Sequence, residues 1–164
     1  MNLELKHLAP YLPYELKMTA NGFIGTLQTI CNDSTMNSGY RIQVSCSDWW
    51  ENNNLTGKIY KPILRQLSDL TQEIEVNGDK FMPCKKLEKE LLLEGQLRFG
   101  VDPDNEFVGF CIDNNCILPI HDGDGEILPE CSWGMIEKLF EWHFDVFGLI
   151  QNGLAIDINT LNLS

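Results

Sequence analysis

Ser132-Trp133-Gly134-Met135-Ile136-Glu137-Lys138-Leu139-Phe140-Glu141-Trp142-His143-Phe144-Asp145-Val146-Phe147-Gly148-Leu149-Ile150-Gln151-Asn152-Gly153 is the stretch on which the reading of the fold turns. Ser132 is a good N-cap and Asn152-Gly153 a good C-terminal stop, so the stretch reads as one long closing helix. On a helical wheel Trp133, Ile136, Leu139, Phe140, His143, Phe144, Val146, Phe147 and Ile150 form a continuous face. Met135, Trp142 and Leu149 widen its apolar arc to about 220°. An arc that wide predicts a helix buried against a sheet over most of its circumference. The polar remainder is a stripe of Glu137, Glu141 and Asp145, spaced four apart, with Lys138 beside them.

Outward from this stretch, Leu154 to Ile158 reads as a pinned tail or a short strand. Upstream, Leu97–Val101, Phe107–Ile112 and Cys116–Ile120 read as three strands of a meander, with turns at 102–105 and 113–115. Pro83 suits a first helical position, and the helix it opens runs through Leu91 and ends at Gly95. Ser68 suits the N-cap of a short helix through about Ile74, closed by Asn77-Gly78-Asp79. Ile59 to Leu64 is extended. Phe23–Cys31 and Tyr40–Cys46 alternate with period two and read as an antiparallel hairpin. Pro10 and Pro13 allow one helical turn before extended chain. The expectation is a single α+β domain over residues 1–164. In it a mostly antiparallel sheet of about five to six short strands packs on the long C-terminal helix, with two shorter helices mid-chain.

Composition sets the setting. Hydrophobic residues make up 43% of the 164 residues and charged residues 22%, which is ordinary globular usage. The polar–apolar start lacks the apolar core of a signal peptide, and no run is long enough to span a bilayer. A cytoplasmic location is expected, and with it six reduced cysteines (Cys31, Cys46, Cys84, Cys111, Cys116, Cys131) and uninformative sequons at Asn32, Asn54 and Asn162. The formal charge of −12 is unevenly placed: residues 102–164 hold 12 acids against Lys138 alone, while residues 1–101 hold 12 acids against 11 bases. Such a field disfavours direct binding of nucleic acid or anionic membrane. It suits either solubility or a basic partner.

Candidate chemistry is sparse. In His121-Asp122-Gly123-Asp124-Gly125-Glu126 the aspartates invite a cation, but counting from Asp122 the sixth place is Ile127 and the twelfth Trp133, so an EF-hand loop is excluded. A turn or a different divalent site stays open there. Cys111, Cys116, Cys131 and His121 lack zinc-finger spacing. His143, central on the apolar arc, reads as a core histidine bonded to a backbone carbonyl. No nucleophile elbow, phosphate loop or dinucleotide fingerprint is present. The Trp49-Trp50 pair caps a ligand pocket or folds over the core; both readings stand.

Three stretches carry a resemblance: His7-Leu8-Ala9-Pro10-Tyr11-Leu12-Pro13-Tyr14, Lys61-Pro62-Ile63-Leu64-Arg65-Gln66-Leu67-Ser68-Asp69-Leu70-Thr71-Gln72-Glu73-Ile74, and Glu137 through Ile150 on to Gly153–Thr160. Together they resemble a family of small uncharacterised proteins of Bacteroidota phages and prophages. The likeness spans roughly a third of the chain, departs at Gln66 where a proline is expected, and leaves about 84–130 individual. It implies a phage accessory setting in a bacterial cytoplasm, with a recurring frame and a variable insert, and supplies no catalytic residue.

The leading expectation is therefore a non-enzymatic accessory protein, with a possible anti-defence role and no cofactor, that binds and blocks a basic host protein. Its contacts would be Asp122, Asp124, Glu126, Glu137, Glu141 and Asp145. A second is sequestration of a small nucleotide-type signal by Arg41, Lys61 and Arg65 with Trp49 or Trp50 stacking on a base. A third is a hydrolase using a metal held by Asp122, Asp124 or Glu126.

Overall fold

The computed structural model describes residues 2–20, 22–35, 38–45, 49–50, 60–90, 97–101, 108–112, 117–119 and 133–161. In chain order its elements are α1 (Leu5–Leu8), β1 (Lys17–Ala20), β2 (Phe23–Asn32), β3 (Tyr40–Val44), β4 (Trp49–Trp50), β5 (Lys61–Leu64), β6 (Ile74–Val76), β7 (Asp79–Phe81), α2 (Pro83–Glu90), β8 (Leu97–Val101), β9 (Val108–Ile112), β10 (Ile117–Pro119), α3 (Trp133–Glu141) and β11 (Ile156–Asp157). They form two compact units, one of Met1–Leu64 with Leu149–Ser164, the other of Arg65–Gly148. The second is thus inserted in sequence into the first. No described helix is long and apolar enough to cross a membrane.

The first unit is built on a six-stranded sheet of order β11-β5-β1-β2-β3-β4. All pairs are antiparallel except β5 with β11. Residues 2–16 prepare it: after α1 the two prolines sit in a 3-10 turn, Ala9–Tyr14, which Glu15 closes in the left-handed region at φ 58°. The expected hairpin forms as β2 and β3, with one irregularity. Leu27 faces Val44 and Thr29 faces Gln43, so Gln28 is an extra residue in β2. Strict alternation would send Leu27 and Ile30 to opposite faces; the bulge returns Ile30 to the side of Ile42, where Leu27, Ile42, Val44, Met18 and Leu64 are buried. Gly25 lies next to this seam, and a Cβ there would fall 2.5 Å from Val44 Cγ1.

The second unit begins with a 3-10 turn, Leu67–Thr71, preceded by Gln66 at its cap position, in place of an α-helix capped by Ser68. Ile74, expected in that helix, opens β6. Asn77 and Gly78, both at positive φ (54° and 88°), join β6 to β7 in the two-residue turn that suits antiparallel strands. Pro83 opens α2 as expected, and the meander forms as β10-β9-β8. Its turns, the Gly95 stop and the Ser132 cap lie outside the described residues.

The long closing helix is not there, and this overturns the expected architecture. α3 is nine residues and stops at Glu141. The stop is a Schellman motif: the Phe144 N–H bonds Leu139 O at 2.8 Å, the His143 N–H bonds Phe140 O at 3.0 Å, and His143 takes φ 59°. Leu139 and Phe144 are both fully buried, which supplies the apolar contact that accompanies such stops. His143 is therefore a half-buried helix terminator, and Trp133, assigned to the apolar face, is 72% exposed. Beyond it Phe144, Val146, Phe147 and Leu149 are buried without being helical. The glycine stop does operate, but on a separate turn: Gly153 (φ 68°) donates to Ile150 O at 2.9 Å, and Leu154 to Leu149 O at 2.8 Å.

Two substitutions test this packing. Gly25→Ala should cost about 1–3 kcal/mol in denaturant unfolding because the Val44 side chain must yield. His143→Val should cost about 1–2 kcal/mol more than His143→Gly or His143→Asn, since only the latter tolerate the left-handed region. Equal losses for all three would mean that α3 does not end through His143.

Candidate functional site

Of the cations expected to hold a nucleotide, Arg41 and Lys61 are placed apart, and all three are already engaged. Arg41, on β3, directs Nε to Cys31 Sγ at 3.3 Å and to Asp33 Oδ2 at 3.4 Å. Asp33 in turn accepts from both the backbone and the hydroxyl of Thr35, which holds its carboxyl below the ordinary range. Lys61, on β5, donates to Gly153 O at 2.6 Å. Arg41 registers with Cys31, whereas Lys61 registers through Thr19 with Ile24. Those two β2 positions are about 20 Å apart along the strand, and β3 and β5 are a further three strand spacings apart, about 14 Å. Arg65 belongs to the second unit, donates to Glu75 O at 2.8 Å, and has its pKa lowered by burial against the opposing charge of Asp69. Trp49 and Trp50 form β4, paired with Gln43 and Ile42.

The acidic set is likewise divided. Asp122, Asp124 and Glu126 lie outside the described residues. Glu137 is exposed on α3. Asp145 is only 5% exposed and sits beyond the Schellman stop, where its N–H bonds Arg65 O at 2.9 Å. The three-carboxylate ridge required a helix through Asp145; without that helix the stripe reduces to exposed Glu137 and half-buried Glu141. Among the described residues no group of three or more His, Cys, Asp or Glu side chains is placed to hold a metal.

What the second unit does assemble is a charge network between α2 and α3. Lys138 Nζ lies 2.9 Å from Glu141 Oε2 and 3.2 Å from Glu90 Oε2. These bonds raise the Lys138 pKa, Glu141 contributing most, against partial burial that lowers it. Glu90 also meets Lys86 at 4.0 Å, one helical turn away. Lys86 Nζ sits 4.0 Å from the centre of the Phe81 ring and 5.5 Å from that of Trp142, and the two rings pack at 5.0 Å and 60°. Buried Trp142 is thus the apolar backing of a surface made by β7 and α2.

That surface is a groove of about 510 Å³ lined by Lys80, Phe81, Met82, Lys85, Lys86 and Lys89 together with the acids Asp79 and Glu90. It is not among the sites expected from the sequence. The available signal was four lysines within ten residues, Lys85 and Lys89 at helical i,i+4 spacing, in a chain with only 12 cations.

No family model matches this chain, and no curated protein or solved structure matches it either. The phage-family resemblance therefore rests on the quoted stretches alone.

The network has a measurable pH signature. A lysine whose pKa is raised on folding stabilises fully below its unfolded value and loses that contribution as pH climbs through the folded one. Lys138→Met should cost about 0.5–1 kcal/mol at neutral pH, the range for partly exposed pairs, and the difference from the unsubstituted chain should shrink in melts taken above about pH 10.4. A difference independent of pH would assign the loss to the aliphatic stem instead.

Proposed function

We propose that the chain acts by binding, without catalysis, and that its distal part engages a basic host protein. One observation supports this above others: the single cation of residues 102–164, Lys138, is bonded to Glu141 and Glu90. By sequence, residues 102–164 hold 12 acids against this one cation, a sum of −11. The field left to a partner is negative.

The phage accessory setting, with blocking of a host factor, belongs to the same proposal and comes from the sequence resemblance. The nucleotide reading built on Arg41, Lys61 and Arg65 loses support, because each of these side chains already holds a protein acceptor. The metal-dependent reading concerns Asp122, Asp124 and Glu126, outside the described residues.

Immobilised chain should retain specific bacterial proteins at about 50 mM salt and release them by about 500 mM, since attraction between exposed charges is screened over that range. A variant carrying Asp122→Asn, Asp124→Asn, Glu126→Gln, Glu137→Gln and Glu141→Gln should retain them weakly. Equal retention by the variant, or release indifferent to salt, would sink the proposal.

A further inference from the structure

We propose that the groove between β7 and α2 is a binding site for a small phosphate-bearing anion, a ligand of nucleotide size. The argument starts from charge. Four of the chain's 12 cations line this one groove, in a chain of net charge −12. Two acids, Asp79 and Glu90, line it as well, and Glu90 is already bonded to Lys138 and faces Lys86. Lys80 meets Glu75 only at 3.8 Å, with both side chains mostly in water, a pairing weak enough to exchange for a phosphate. Lys85 and Lys89 are exposed and one turn apart on α2, so their ammonium groups can reach neighbouring phosphates of one ligand.

Size and floor chemistry narrow the class. About 510 Å³ falls within the range of small-molecule sites and far below what a macromolecular surface occupies. Phe81 and Met82 give the groove an apolar floor, and Phe81 is held in place by Trp142 behind it and Lys86 beside it. Cations around a fixed apolar floor suit a molecule with a charged phosphate end and a less polar body. A long polyanion fits less well, because it extends past one screening length and meets the net negative charge of the chain.

Calorimetric titration of the full chain with inorganic triphosphate and with ATP, at about 50 mM salt, tests the site. Binding of both with a Kd below about 1 mM is expected. Tighter binding of ATP would show that the floor contributes; equal binding would assign recognition to phosphate alone. The Lys85→Gln, Lys89→Gln double variant should bind about tenfold more weakly or worse, with its melting temperature unchanged because both side chains are exposed. The proposal is overturned if neither probe binds at about 5 mM, or if the double variant keeps full affinity. It is also overturned if the double variant only abolishes self-association, which would make the groove a contact for the acids of a second copy. None of these outcomes bears on the salt-dependent protein partner, so the two proposals fail separately.

Discussion

Arg65 is the residue on which the inserted unit closes. Its N–H bonds His143 O at 2.8 Å and its carbonyl accepts from Asp145 N–H at 2.9 Å, a parallel bridge centred on Phe144. The first and last parts of Arg65–Gly148 are thereby tied by backbone bonds, which only a proline substitution removes directly. The first unit ties its own ends in the same sense, through the parallel pairing of β5 with β11 and the bond from Lys61 to Gly153. An insertion is tolerated when its ends are held close, because the loop-closure entropy is then spent once by the host element.

The bridge explains why α3 must be short. A helix continued through Phe147 would commit the His143 carbonyl to Phe147 N–H and the Asp145 N–H to Glu141 O, leaving Arg65 without backbone partners. The left-handed turn at His143 releases both groups. It also fixes Glu141 at the last helical position, from which it bonds Lys138, three residues earlier. Lys138, within α3, separately meets Glu90 and so ties α3 to the helix that carries Lys85 and Lys89.

What the sequence discloses follows from where one face differs from the other. Tyr40–Val44 alternates buried and half-buried positions, so its period was readable, as was the meander with its polar turns. Pro83 announced α2 by chemistry alone. The closing stretch failed for the opposite reason: an apolar arc covering most of the wheel carries little phase, and such a run is equally content in any buried conformation. A histidine is only modestly favoured in the left-handed region, so His143 gave little warning. The β6–β7 hairpin was legible and was misread, since Asn77-Gly78 between Ile74-Glu75-Val76 and Asp79-Lys80-Phe81 is a strong hairpin signal. For the site, the acids were read through a helix that does not exist, while the lysines of α2 were counted as part of a helix and not as a surface.

Net charge and local charge then describe different partners. Over distances beyond about 8 Å in physiological salt only the summed field of a region is felt, and for this chain that sum is negative. Within that distance the groove sets four lysines against Asp79, Glu90 and Glu75, a small positive sum in an otherwise negative chain. A basic protein, touching the chain over a wide area, responds to the first. A compact anion, buried among Lys80, Lys85, Lys86 and Lys89, responds to the second. On the proposed reading, a compact anion meets mainly the local sum, whereas a duplex or long single strand extends past one screening length and meets the negative field as well. Selection by size would then precede any specific contact.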